Sequence, residues 1–159
     1  LKQYKKKKLP IIILRPYLVF GPGQDDSRLI PFVIMKCLKN EYFDCTHGKQ
    51  VRNFFYIKDF LEVLFRCLNI KANGEIINVG SSRNYTVKFV INKICKITKK
   101  GKPKYGKMAL RKDEPINLYP DLTKFKKIFN PKKETSLSNS LKKTIKFYYK
   151  KQDEKTLYS

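Results

Sequence analysis

Histidine is nearly absent, one residue in 159, and none of the four cysteines stands in a C-x-x-C spacing. Zinc sites need clustered thiolates or imidazoles, so no metal site is expected. Cys37, Cys45, Cys67 and Cys95 lie within apolar or periodic segments and read as reduced core thiols of a cytoplasmic protein. No apolar run approaches the roughly 18 residues that mark a membrane-spanning helix. One apolar run, Ile11 to Leu14 after Leu9 and Pro10, is strand-sized. The early lysines lead into no signal-peptide apolar region. Acidic residues are also few: 13 Asp and Glu against 36 Lys and Arg, a formal net charge of +23. What is present is apolar material, 42% of residues with 11 Phe and 10 Tyr, enough to build a core. Wholesale disorder is therefore not expected. The length suits one domain, or one domain and a fraction.

Thirty lysines and six arginines make up the positive charge. A chain rich in Ile, Asn, Lys, Phe and Tyr is what an AT-rich coding sequence would yield, the plainer reading. The sharper reading is a polyanion partner. The lysines are spread along the chain and are not interleaved with aromatics as a base-stacking platform requires. Such a charge binds polyanions at low salt whatever the function. No specific nucleic acid and no membrane partner is expected.

Helical spacing predicts a helix over Leu1 to Lys8, stopped by Pro10. Leu9 to Leu14 has no polar alternation and predicts a strand buried on both faces, as in a parallel sheet. Phe20 to Ser27 is a loop, and Ser27 or Asp26 is expected to cap a helix from Leu29 to Asn40. Phe43 to Thr46 and Arg52 to Ile57 read as strands. Asp59 to Leu68 reads as a helix with Phe60, Leu61, Val63, Leu64 and Cys67 inward. Glu75 to Val79 is a second buried strand, broken at Gly80-Ser81-Ser82. Thr86 caps a helix through Thr98, and Gly101 to Gly106 holds a short strand. Asp121 caps a helix to Phe129. The last helix starts at Ser136 or Ser138 with Leu141, Thr144, Ile145 and Tyr148 inward. Residues 1–150 read as one unit and 151–159 as a polar tail.

This is an α/β chain. Only two long buried strands are visible, and two strands leave edges and faces uncovered. The expectation is an incomplete fold: the last parallel strands of a larger sheet, with the rest of that sheet upstream.

In open α/β sheets ligands bind beyond the carboxyl ends of the strands. Those ends are Arg15 to Gln24 and Gly80-Ser81-Ser82. Arg52 sits in an aromatic stretch, Val51-Arg52-Asn53-Phe54-Phe55-Tyr56, and an arginine buried there needs an anionic partner. That partner is a phosphate, or Asp59, or another internal carboxylate; spacing leaves these open. Arg111, alone in a loop, reads as a solvated charge.

Together the segments resemble the C-terminal half of an extended short-chain dehydrogenase/reductase, the NAD-dependent nucleotide-sugar epimerase/dehydratase family. Leu14-Arg15-Pro16-Tyr17-Leu18-Val19-Phe20-Gly21-Pro22-Gly23-Gln24 resembles L-R-x-x-N-V-Y-G-P-G-Q. Gly48-Lys49-Gln50-Val51-Arg52-Asn53-Phe54-Phe55-Tyr56-Ile57-Lys58-Asp59 resembles G-x-Q-x-R-D-F-x-Y-V-x-D. Gly74 to Ser81 resembles G-E-x-x-N-I-G-S, and the ending matches D-x-x-K and a closing amphipathic helix. The resemblance implies a Rossmann-type sheet with a small α/β substrate domain. It implies that Arg52 and Arg111 clamp the diphosphate of a nucleotide sugar, with Arg28 and Leu29 beside the base. Leu18 stands where the family usually has an Asn that contacts substrate, and the resemblance implies that Pro16 and Tyr17 would lie near the nicotinamide. Asn78 and Asp121 are structural, at a strand end and a helix cap. Asn53 and Lys58 replace acids, and Lys112 replaces the Pro of R-P-G-D.

The family's chemistry needs a G-x-x-G-x-x-G loop for the dinucleotide and a Y-x-x-x-K pair. The sequence has no such loop. Tyr4-Lys5-Lys6-Lys7-Lys8 matches the pair's spacing but lies only eleven residues before Arg15, too close to the next strand. No catalytic residue is assigned. The resemblance implies NAD or NADP in a full-length parent, with none expected on this chain alone. Its partners would be a nucleotide-diphosphate sugar and an upstream cofactor-binding half. Homodimerisation is left open. The alternatives are a noncatalytic remnant or split-gene partner that binds nucleotide sugar, and a basic polyanion-binding protein.

Overall fold

The computed structural model describes residues 2–7, 10–131 and 133–157. Helix α1 (Lys2–Lys7) precedes β1 (Ile13–Pro16), β2 (Val19–Phe20), α2 (Leu29–Leu38) and β3 (Tyr42–Cys45). Then come β4 (Val51–Arg52), β5 (Phe55–Tyr56), α3 (Ile57–Cys67), β6 (Ile76–Val79), β7 (Tyr85–Thr86) and α4 (Val87–Thr98). Strands β8 (Lys102–Tyr105) and β9 (Asn117–Leu118) and helices α5 (Thr123–Phe129) and α6 (Leu137–Leu157) complete the order. The last helix thus runs on into the segment read as a tail. Leu1, Lys8 and Leu9, at the ends of the first expected helix and strand, lie outside the described residues.

The two expected long strands pair with each other, β1 parallel to β6, with Ile13 opposite Ile76 and Pro16 opposite Val79. The first strand starts later than its apolar run and ends on a proline. The ladder explains this. Ile13 N–H donates to Glu75 and Tyr17 N–H to Val79, both at 2.9 Å. Residues of odd number face β6, so Pro16, which has no N–H, faces the other edge and costs no bond. Burial on both faces is not observed: Ile11 to Leu14 are half-buried, and Arg15 and Pro16 are exposed. Among the described residues β1 has a neighbour on one edge only.

The stretch read as one strand, Arg52 to Ile57, divides between two sheets. β4 pairs antiparallel with β7 and parallel with β9, whereas β5 pairs parallel with β2. β3 pairs parallel with β8, and its Phe43 and Cys45 are buried while Tyr42 and Asp44 are exposed.

Two apolar clusters result. Helices α2, α4 and α6 close one around Val33, Ile34, Val90, Ile94, Leu141 and Tyr148, each fully buried. The other lies under β1 and β6, between α3 and α5, around Phe55, Val63, Ile77, Phe125 and Phe129. Arg66 ties its helices together by donating from Nη2 to the Phe129 carbonyl. Helix α3 corrects one expectation. Phe60 and Val63 pack inward, but Leu61 and Leu64 are 44% and 40% exposed, beside Phe65 at 68% and Leu68 at 80%. A helix on a sheet of two strands has no neighbouring layer against its outer stripe.

Caps follow the sequence in part. Thr86 Oγ1 accepts from Phe89 N–H at 3.1 Å, as expected of an N-cap. Asp121 Oδ1 accepts from Thr123 N–H at 2.8 Å at the start of α5. At α2 the cap position is Arg28, whose side chain makes no cap bond. Asp25 instead closes a local turn, its Oδ1 accepting from Ser27 N–H at 2.9 Å. Gly48 has φ +68, and a Cβ there would lie 2.9 Å from the Lys88 backbone nitrogen. Its carbonyl accepts from Lys88 N–H at 2.9 Å, seating α4. Gly48→Ala is expected to lower stability by about 1–3 kcal/mol through backbone strain, readable in a urea melt.

Candidate functional site

Residues Pro16 to Leu18 and Gly80 to Ser82 leave the sheet side by side, since Pro16 pairs with Val79. Pro16 is exposed, Tyr17 half-buried and Leu18 37% exposed. Both chains thus reach the sheet end where α/β folds place ligands. Gly80 is a close-approach glycine: a Cβ there would stand 2.4 Å from Asn53 Oδ1. Asn53 is 1% exposed and holds the following loop. Its Nδ2 donates to the Ser81 carbonyl at 2.8 Å and to Asn84 Oδ1 at 2.7 Å. Its Oδ1 accepts from Ser81 N–H at 2.8 Å. These bonds use a neutral amide as both donor and acceptor, which an aspartate at this position could not supply. The expected single strand breaks at Asn53 and Phe54, between β4 and β5.

Arg52 is 6% exposed. Its Nη2 donates to Glu114 Oε1 at 2.7 Å, and Nη1 donates to the carbonyls of Val51 at 2.9 Å and Ile116 at 3.2 Å. Among the three partners the sequence left open, the structure supplies an internal carboxylate, and it is Glu114. Asp59 is engaged elsewhere: its carboxylate accepts from Thr135 N–H at 3.0 Å and from Thr135 Oγ1 at 2.8 Å, fixing the approach to α6. A guanidinium has five N–H donors, so Arg52 retains two beyond these three bonds.

Glu114 also brings Arg111 to the same place. Glu114 N–H donates to the Arg111 carbonyl at 3.1 Å, closing a turn whose one end carries an exposed arginine and whose other end grips Arg52. Val51 N–H donates to Ile116 at 2.7 Å and continues this docking into the β4–β9 pair. Arg52 and Arg111 thus share one structural unit although 59 positions apart (111 − 52). Glu114 was not among the candidate site residues; the local signal for it is the carboxylate pair Asp113-Glu114, two residues after Arg111 in a chain with only 13 acids.

Arg28 and Leu29 open α2. Arg28 is exposed, and Leu29 is half-buried against the three-helix cluster. No hydrogen bond or ion pair between described residues links them to Arg52 or Arg111.

A separate cleft of about 620 Å³ lies between the two clusters, lined by Phe20, Tyr56, Ser82, Lys126, Glu134 and Leu137 among others. Ser81 and Ser82, at one of the two strand ends expected to meet a ligand, line it, whereas Pro16, Tyr17, Leu18, Arg28, Leu29, Arg52 and Arg111 do not. Glu134 closes one wall, accepting from Ser81 Oγ at 2.9 Å and Ser82 N–H at 2.7 Å. Burial pushes the Tyr56 phenol above its ordinary value, with the Asp59 charge adding to the effect. Among the described residues no group of three or more His, Cys, Asp or Glu could hold a metal. No helix there is long and apolar enough to cross a membrane. Tyr4 of the Y-x-x-x-K match lies against Gly74, where a Cβ would meet its ring at 2.3 Å, so its ring packs on a turn.

Residues 1–80, carrying β1, the Gly21-Pro22-Gly23 loop, the Arg52 stretch and β6, match the model of the NAD dependent epimerase/dehydratase family. The chain belongs to that family. A UDP-N-acetyl-alpha-D-glucosaminuronate decarboxylase of Bacillus cytotoxicus is 30% identical over 158 aligned residues, covering 91% of this chain and 48% of the relative. CDP-abequose synthase of Salmonella muenchen is 31% identical over 137, covering 84% and 46%. Among solved structures, UDP-glucuronic acid 4-epimerase from Bacillus cereus, in complex with UDP-glucuronic acid and NAD, superposes with a TM-score of 0.81 at 26% identity. That match covers 92% of this chain and 48% of the epimerase. The chain therefore spans about half the length of the relatives it matches. The expected fold holds: α/β, parallel strands, and part of a Rossmann-like whole.

Proposed function

We propose that this chain is the substrate-gripping portion of an NAD(P)-dependent nucleotide-sugar epimerase, dehydratase or 4-ketoreductase. Residues 1–150 would form that portion, followed by a polar end. In this reading Arg52 and Arg111 grip the nucleotide diphosphate, Arg28, Leu29 and Leu18 line the rest of the substrate, and Pro16 and Tyr17 face the nicotinamide. The observation that supports it is the Arg52–Glu114 junction, which sets two arginines from distant segments into one unit. Arginine suits phosphate because its planar fork gives paired, charge-assisted bonds. Glu114 holds the fork in place before ligand arrives, which lowers the ordering cost of binding. The cofactor half, whose glycine loop and Y-x-x-x-K pair would supply hydride transfer and acid–base chemistry, would lie on the open side of β1. The exposed apolar stripe of α3 supports a covering layer on that helix.

A basic polyanion-binding protein is the second reading, and one observation favours it. Strand pairing sets Lys102 and Lys104 over the ring of Tyr42, with Nζ 4.8 and 4.7 Å from its centroid. The linear sequence hid this interleaving of aromatic and cation. Salt separates the readings. Uridine diphosphate is expected to bind saturably at physiological salt and to weaken little between about 50 and 200 mM, whereas a DNA duplex should lose orders of magnitude. Equal loss for both ligands would favour the polyanion reading and overturn the pocket.

A further inference from the structure

Two cysteines far apart in sequence meet between α2 and α4. Cys37 Sγ and Cys95 Sγ lie 3.6 Å apart across a separation of 58 residues. A disulfide requires about 2.05 Å, so the sulfurs need to approach by roughly 1.5 Å. Cys37 is fully buried and Cys95 half-buried, so a small oxidant reaches Cys95 first. The remaining two thiols are placed differently. Cys45 sits 3.9 Å from the Phe43 carbonyl, and Cys67 belongs to the other apolar cluster.

We propose that Cys37 and Cys95 form an oxidisable pair, which a peroxide converts to a disulfide that cross-links α2 to α4. The Cys95 thiolate attacks one peroxide oxygen, the O–O bond breaks, and the other oxygen leaves as hydroxide to become water. Cys95 is now a sulfenic acid. Cys37 sulfur attacks Cys95 sulfur, the S–S bond forms, the S–O bond breaks, and the hydroxide takes the Cys37 proton as a second water. Two thiols lose two electrons and the peroxide gains them. The hydrogen bond from Cys37 favours the Cys95 thiolate and lowers its pKa, the state that the first step requires. That same bond, with burial, raises Cys37. Cross-linking would join α2, which Arg28 precedes at the cap position, to α4, which follows β7, the strand whose Tyr85 pairs with Arg52.

The test is peptide mapping of the full chain after reduction, removal of reductant and exposure to hydrogen peroxide. The expected product is a linked pair of peptides carrying Cys37 and Cys95, two hydrogens lighter, with Cys45 and Cys67 still alkylated. Its melting temperature should rise by about 5–15 °C and fall back with dithiothreitol. In Cys37→Ser the reaction should stop at the sulfenic acid of Cys95, trapped by dimedone. Mapping of the unaltered chain decides the matter if that variant does not fold. Four alkylatable thiols after peroxide, a bridge to Cys45 or Cys67, or bridges between chains would each overturn the proposal.

Discussion

Arg52→Ala is expected to raise the KM for the nucleotide sugar about ten- to a hundredfold in the protein that also carries a cofactor half. One charge-assisted hydrogen bond to phosphate contributes about 1.5–3 kcal/mol, and about 1.4 kcal/mol is a factor of ten. The substitution has a structural cost too. It leaves Glu114 without its cation and the Val51 and Ile116 carbonyls without Nη1. Losing one partner of a buried pair costs about 3–5 kcal/mol, but the Glu114 side chain is 29% exposed and water offsets part of that. A fall of about 2 kcal/mol is therefore expected in a denaturant melt. Glu114→Gln separates the two effects. It keeps a hydrogen-bond acceptor for Arg52 while removing the competing charge, so substrate affinity should hold or improve as stability drops slightly. A KM unchanged in Arg52→Ala, with the protein folded, would falsify the diphosphate role.

Asn53→Leu should be the most destabilising change at the site, by about 3–5 kcal/mol. The side chain is nearly isosteric, so packing is kept while every polar bond is lost. Ser81 loses a partner for both its N–H and its carbonyl, and Asn84 loses its donor. Each unsatisfied buried group costs about 1–3 kcal/mol. Asn53→Asp separates geometry from charge. It keeps the acceptor for Ser81 N–H but turns the bonds donated to Ser81, Arg83 and Asn84 into contacts between oxygens, so it should destabilise above its own pKa and recover part of the loss on acidification. Urea melts at several pH values read both. A leucine variant as stable as the parent would mean that the loop Gly80 to Asn84 is held by something other than this amide.

Helices were largely legible in the sequence because their signals are local. Thr86 before Val87, and the inward set Leu141, Thr144, Ile145 and Tyr148, need only a 3.6-residue period and a hydroxyl at the right place. Short strands were less so. Val19–Phe20 offers two residues and no period, and exists as β2 because Phe55–Tyr56 lies beside it. The stripe Leu61, Leu64, Phe65 and Leu68 is apolar at helical spacing, yet periodicity marks an apolar face without naming what covers it.

The same division runs through the site. The α/β class, the family, the parallel strand pair and the need of Arg52 for an anion are legible in the residues alone, since burial of a guanidinium among aromatics follows from composition in one short window. Long-range folding settles that the anion is Glu114 and not Asp59, that Asn53 ties the turn after β6, that Tyr42 lies under two lysines, and that Cys37 meets Cys95. Those partners stand 62, 28, 60 and 58 residues apart, the second counted to Ser81 and the third from Tyr42 to Lys102. A local pattern specifies what a side chain requires. Chain folding over such distances, set by which apolar faces can be buried together, selects the group that meets the requirement.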